Sequence, residues 1–82
     1  MTFWTVDRIR LQLLGKVINY GSPVNSDKLH VIRISTINNH YVIDCEDLNK
    51  NIVKIKLTRQ RMFDLMDLGR MFLPDAIFIG ID

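Results

Sequence analysis

The sequence predicts a mainly β fold with one short helix, arranged as a small five-stranded β-barrel. Three observations lead there. Residues 28–58 alternate apolar and polar side chains across tight turns, the period-two signature of half-buried antiparallel strands. The turns, at Asn38-Asn39 and at Leu48-Asn49-Lys50, independently give the same inner face. A capped segment over 59–68 and an apolar run from Ile77 to Ile81 then supply a helix and a closing strand.

From the N-terminus, Ile9, Leu11 and Leu13 alternate with Arg8, Arg10 and Gln12, so a strand is expected. Gly15 follows, and a glycine within a strand pattern marks a bend. Residues 6–20 therefore read as one long strand kinked at Gly15. The competing reading is a helix, because Val6, Ile9, Leu13, Val17 and Tyr20 recur at helical spacing. It would give an α+β fold, an N-terminal helix on a three-stranded meander. Leu11, Leu14 and Ile18 leave that stripe and Gly15 sits mid-span, which favours the strand. Gly21 to Asp27 reads as a loop on its Gly, Pro, Ser and Asn content.

The meander register follows from turn geometry. A two-residue hairpin loop needs positive φ at both central positions, which Asn tolerates better than other non-glycine residues. Ile37 then faces His40, Thr36 faces Tyr41, Ile34 faces Ile43 and Ile32 faces Cys45, with Ser35 against Val42 and Arg33 against Asp44. A three-residue loop at Leu48 to Lys50 sets Asp47 against Asn51, Cys45 against Val53, Ile43 against Ile55 and Tyr41 against Leu57. Slipping either hairpin by one residue would set Ile43 against charge. The outer face carries Arg33, Asp44 and Lys54 side by side, which cross-strand pairing on a solvated face accounts for.

Thr58 is a suitable N-cap and Gly69 a suitable residue beyond the C-terminus, so a helix is expected over 59–68. At about 100° per residue Met62, Phe63 and Met66 form one apolar stripe. Leu65, Leu68 and, if the turn continues, Phe72 form a second, about 130° away. Pro74 ends any helix by disfavouring the α conformation of the residue before it. The closing strand Ile77 to Ile81 is expected beside the first. Bent strand, meander, helix and last strand is the element order of Src-homology-like five-stranded barrels. An OB-like barrel, whose helix follows the third strand, ranks second. This is a likeness of architecture and does not by itself specify function.

Composition narrows the classes. The chain of 82 residues reads as one domain over 1–82, near the size at which a single core just suffices. Its single cysteine, Cys45, cannot form an internal disulfide and lies on the inner face, as a small buried hydrophobe would. Met1 to Asp7 lacks the basic and apolar regions of a signal peptide, and no apolar run approaches a membrane span. A cytoplasmic protein with no membrane partner is therefore expected. Abundant Ile and Asn with scarce Ala and Gly suggest an A/T-rich source, a low-GC bacterium or its virus.

Enzymatic chemistry is not expected, and neither a cofactor nor a metal site is indicated. Asp44 and Glu46 point to one face and Asp47 to the other, so they do not converge as paired carboxylates would. His40 lies four residues from Asp44 along a strand, too far for one metal to join them. His30 faces Asp47 at the barrel mouth, where a structural hydrogen bond is the simpler account. No Gly-rich loop, Cys-x-x-Cys or His-x-x-x-His pattern occurs.

Two binding functions remain. The first is a non-catalytic protein-binding module, an inhibitor or adaptor, whose partner is another protein or a second copy in a homodimer. A helix on a barrel needs one apolar stripe, so the second is left for a partner. Met62, Phe63 and Met66 form the expected interface, since methionine adapts to irregular surfaces, with Leu65 and Leu68 in the core. Phe3, Trp4 and the barrel rim covering both stripes is the structural alternative. The second function is nucleic-acid binding through a basic strand-to-helix patch of Lys54, Lys56, Arg59 and Arg61. A net charge of only +2 and interspersed acids argue against it.

Overall fold

A computed structural model describes residues 4–82. Its elements run α1 (Val6–Leu13), β1 (Val17–Ser22), β2 (Asn25–Ile37), β3 (His40–Glu46), β4 (Ile52–Thr58), α2 (Arg59–Leu68), β5 (Arg70–Phe72) and β6 (Phe78–Ile81). All strands are antiparallel and join in one six-stranded sheet ordered β4-β3-β2-β1-β6-β5. The sheet does not close, which corrects the five-stranded barrel. Its edge strands β4 and β5 are instead linked in sequence by α2.

The first element is a helix, not a bent strand. Ile9 and Leu13 are buried as either reading requires, because a spacing of four suits both periods. Leu11 decides between them, and it is 83% exposed. Thr5 caps the helix by accepting a hydrogen bond from the Arg8 amide, and the chain turns extended at Leu14 before Gly15 at φ +79°. Beyond Gly15 the chain is a strand, so the helical reading holds for residues 6–13 and fails for 17–20.

The expected loop over 21–27 is a tight hairpin, with Ser22 paired to Asn25 across Pro23-Val24. Ser22 Oγ accepts from the Asn25 amide at 3.0 Å. Gly21 is required there, since a Cβ would lie 3.1 Å from the Asn25 carbonyl oxygen at a backbone φ of +142°.

β2 is 13 residues long and pairs with β1 through His30 and with β3 from His30 onward. The corner between its halves is a bulge at Val31–Arg33, and bulges bend strands. Past the corner no strand among the described residues pairs with β2 on the β1 side. There α1 covers the edge, and the Arg10 guanidinium donates from Nε and Nη2 to the Ile34 carbonyl at 3.2 and 3.0 Å.

The meander registers hold from Arg33 to Thr58. Asn38 and Asn39 take φ +49° and +63°, and Ile43 stands between Ile34 and Ile55. Before Arg33 the bulge shifts the pairing by one. Val31, not Ile32, opposes Cys45, and His30 opposes Glu46, not Asp47. In the second turn Lys50 is left-handed at φ +65°, and Asp47 Oδ1 accepts from the Asn49 and Asn51 amides at 2.9 and 2.8 Å. These donors, Asn51 first, hold the Asp47 carboxyl below its ordinary pKa.

The closing strand lies beside the first, with Ile81 opposite Ile18. β5, not anticipated from the sequence, pairs with its other edge. The core sits between one face of the sheet and both helices, with Ile9, Leu13, Ile43, Met62, Leu65 and Ile79 fully enclosed. Among the described residues no helix covers the opposite face of the sheet.

Candidate functional site

α2 has the bounds its caps imply. Thr58 Oγ1 accepts from the Arg61 amide at 3.3 Å, and Gly69, at φ +79°, donates its amide to the Leu65 carbonyl at 2.7 Å. Its faces differ from the expected division. Met62 is fully buried beside Leu65, whereas Leu68 is 71% exposed. Phe63 and Met66 are half-buried and pack against the core, with Phe63 6.2 Å from the Tyr41 ring. Met62 is therefore core and Leu68 is not. The premise that a helix on this support needs one stripe fails because α2 packs against β3, β4, β5 and β6 of the bent sheet, so both expected stripes contribute to the core. The turn does not continue past Gly69, so Phe72 lies outside the stripe, in β5. Trp4 does cover part of α2, donating from Nε1 to Asp67 Oδ1 at 2.6 Å, whereas Phe3 lies outside the described residues.

Two of the four basic residues border a cleft of about 450 Å³ at the end of the sheet. Lys56 from β4 and Arg61 from α2 line one side of it with His40 and Thr58. Tyr20 and the β5–β6 turn, including Leu73, Pro74 and Asp75, complete the lining. Of the sequence-predicted basic residues, Lys56 and Arg61 thus share the cleft. Lys54 lies further along the exposed face of β4, and the Arg59 guanidinium sits 5.4 Å from the Phe63 ring centre. His40 Nδ1 lies 2.9 Å from the Asn38 carbonyl oxygen, so with Nδ1 as the donor Nε2 is left for other partners. Sequence reasoning missed His40 and Tyr20 because their approach to Lys56 depends on how the sheet curls.

The bare face of the sheet carries Arg33, Asp44 and Lys54 in register. No ion pair joins them among the described residues. The bulge sets Ile32 and Arg33 against one residue, Asp44, whose Oδ1 is sealed from solvent without a hydrogen-bond partner. Further across this face Phe72 opposes Phe78, with ring centres 5.6 Å apart at 61°.

Among the described residues no group of His, Cys, Asp and Glu is placed to hold a metal. Cys45 is buried, and burial first, then the Asp44 charge, pushes its thiol up to about 11. Among the described residues no helix is long and apolar enough to cross a membrane.

Comparison with known proteins finds no matching family model, no matching curated protein and no matching solved structure.

Proposed function

We propose that this chain is a non-catalytic binding module whose ligand is nucleic acid, held by its phosphates at the cleft. The observation that supports this reading is the convergence of Lys56 and Arg61, from different elements, on one concavity with His40 and Tyr20. A phosphate suits it because two cations, Lys56 and Arg61, line the same concavity against one carboxylate, Asp75, while the Thr58 hydroxyl and Tyr20 ring add polar and flat surface. Lys54 and Arg59 continue the positive charge beyond the cleft along β4 and α2, which suits a polymer better than an isolated anion. Low net charge makes the expected affinity modest and strongly salt-dependent.

Fluorescence anisotropy with a labelled oligonucleotide tests this across a salt series. For a single strand each neutralised phosphate contributes about 0.7 to the slope of log affinity on log salt. Changing both Lys56 and Arg61 to Gln is expected to lower the slope by about 1.4. Absence of binding at low salt, or an unchanged slope in the double variant, overturns the reading.

A second reading, protein binding as an inhibitor, adaptor or homodimer, is supported by the exposed Leu68 beside the half-buried Phe63 and Met66. Met62 takes no part in it. Sedimentation equilibrium of the wild type and of Leu68→Gln is the test. Salt-indifferent association abolished by the substitution supports this reading, and a monomer in both sinks the homodimer.

A further inference from the structure

We infer that the nucleic acid is single-stranded and that an unpaired base stacks on Phe72, on the bare face of the β5–β6 hairpin. This rests on the proposed nucleic-acid function and specifies its ligand.

Phe72 and Phe78 form a cross-strand pair on the sheet face opposite the helices. Their rings meet edge to face at 5.6 Å, a geometry that aromatic pairs favour. Phe78 is fixed by what lies under it. A Cβ built on Gly80 would come 2.9 Å from Phe78 Cζ and 3.1 Å from Cε1, so the ring rests in the space that this glycine leaves. Phe78 thereby orients Phe72, which remains 62% exposed. An aromatic ring that the described residues leave largely in water offers a flat apolar surface to a ligand.

Its surroundings specify the occupant. Arg70 is exposed on the same face, two residues along β5 and opposite Gly80. Across the face, Lys54, Lys56 and Arg33 outnumber Asp44 and Glu46. Cations beside an exposed aromatic ring suit a polymer of bases and phosphates, which uses both kinds of group. Phe72 immediately precedes Leu73, and Leu73 to Asp75 line the phosphate cleft. The same short hairpin therefore presents the aromatic surface and one wall of the cleft. A single strand that leaves the cleft past this hairpin can lay an unpaired base on Phe72. A duplex cannot, because its internal base faces are already stacked, and any π-face suffices, so sequence preference is weak.

The test uses a fluorescein-labelled oligothymidylate, an oligomer of equal length whose sugars carry no bases, and a duplex, all at low salt. Wild-type protein is expected to bind the oligothymidylate on the order of ten-fold tighter than the abasic oligomer and the duplex. Phe72→Ala should remove that advantage and leave abasic binding unchanged. Phe72→Tyr should keep the advantage, and Phe72→Leu, which retains apolar bulk without a π-face, should not. Equal binding of the base-bearing and abasic oligomers by wild type overturns the stacking inference and leaves phosphate binding standing. No binding of any probe overturns both. A Phe72→Ala variant that turns a dimer into a monomer without changing oligomer affinity assigns this surface to a second copy and also overturns it.

Discussion

Met62 and Leu68, on one helix, are expected to respond to alanine in opposite ways. Met62 has no exposed surface. Alanine there removes the thioether and its methyl group and leaves a cavity in the core, a loss of about 2–5 kcal/mol. Leu68 is largely in water, and its truncation should change stability by about 0.5 kcal/mol or less. Intrinsic helix propensity does not separate the pair, since Met and Leu are both slightly poorer than Ala. At about 0.05–0.15 kcal/mol per residue the whole fold is stable by about 4–12 kcal/mol, so Met62→Ala removes a large fraction of the total. Each kcal/mol shifts the midpoint of a domain this size by about 4–8 °C. A loss of about 3 kcal/mol therefore lowers it by about 12–24 °C, against less than about 4 °C for Leu68→Ala. Circular-dichroism melts with urea titrations read both quantities. Midpoints for the two variants within about 4 °C of each other would refute the placement of α2 in the curved sheet.

Single residues elsewhere carry further expected outcomes. Ala76 holds φ +60° in the β5–β6 turn, so Ala76→Gly should stabilise by about 0.5–1 kcal/mol once the greater freedom of the unfolded glycine is subtracted; a lower urea midpoint contradicts it. Asp44→Thr removes an acceptor sealed without a donor and should raise stability by about 1 kcal/mol, whereas a loss of that size would mean that Arg33 and Lys54 stabilise the carboxylate. Because the folded Asp47 pKa is depressed, its stabilising contribution is present above its unfolded value and is lost as pH falls through the folded one; Asp47→Asn should flatten the acid limb of stability against pH, and an unchanged limb argues against the turn geometry. The Cys45 thiol, raised from 9.0 to about 11, should resist a thiol reagent at pH 8 until the protein unfolds. Its contribution, full below the unfolded pKa, should fade between those values as the unfolded thiol ionises first, and rapid native-state labelling would place the residue outside the core.

The candidate site is only partly legible in the sequence. Lys56 and Arg61 stand out as charge, yet nothing in their spacing brings His40 or Tyr20 to them, because those residues arrive on other strands. The spacing of Phe72 would continue the stripe through Leu68 only if the helix ran past Gly69, and the left-handed Gly69 ends it. Met62 points toward a partner only if the support is one-sided, which a bent sheet is not.

What the sequence alone determined is local. Asn38-Asn39 and the Leu48–Lys50 loop fix how β2, β3 and β4 meet from Arg33 onward, because turn length sets register and a one-residue slip reverses every side chain. Thr58 and Gly69 bound α2 for a similarly local reason, satisfying backbone groups at its ends. Tertiary structure decided the rest. Ile9 and Leu13 fit helix and strand alike, and the uncovered edge of β2, with the Ile34 carbonyl open to Arg10, favours a helix laid along it. The bulge at Val31–Arg33 likewise has no turn to announce it. It exists because one strand must serve two ladders that run in different directions, a demand that arises only when the whole sheet is assembled.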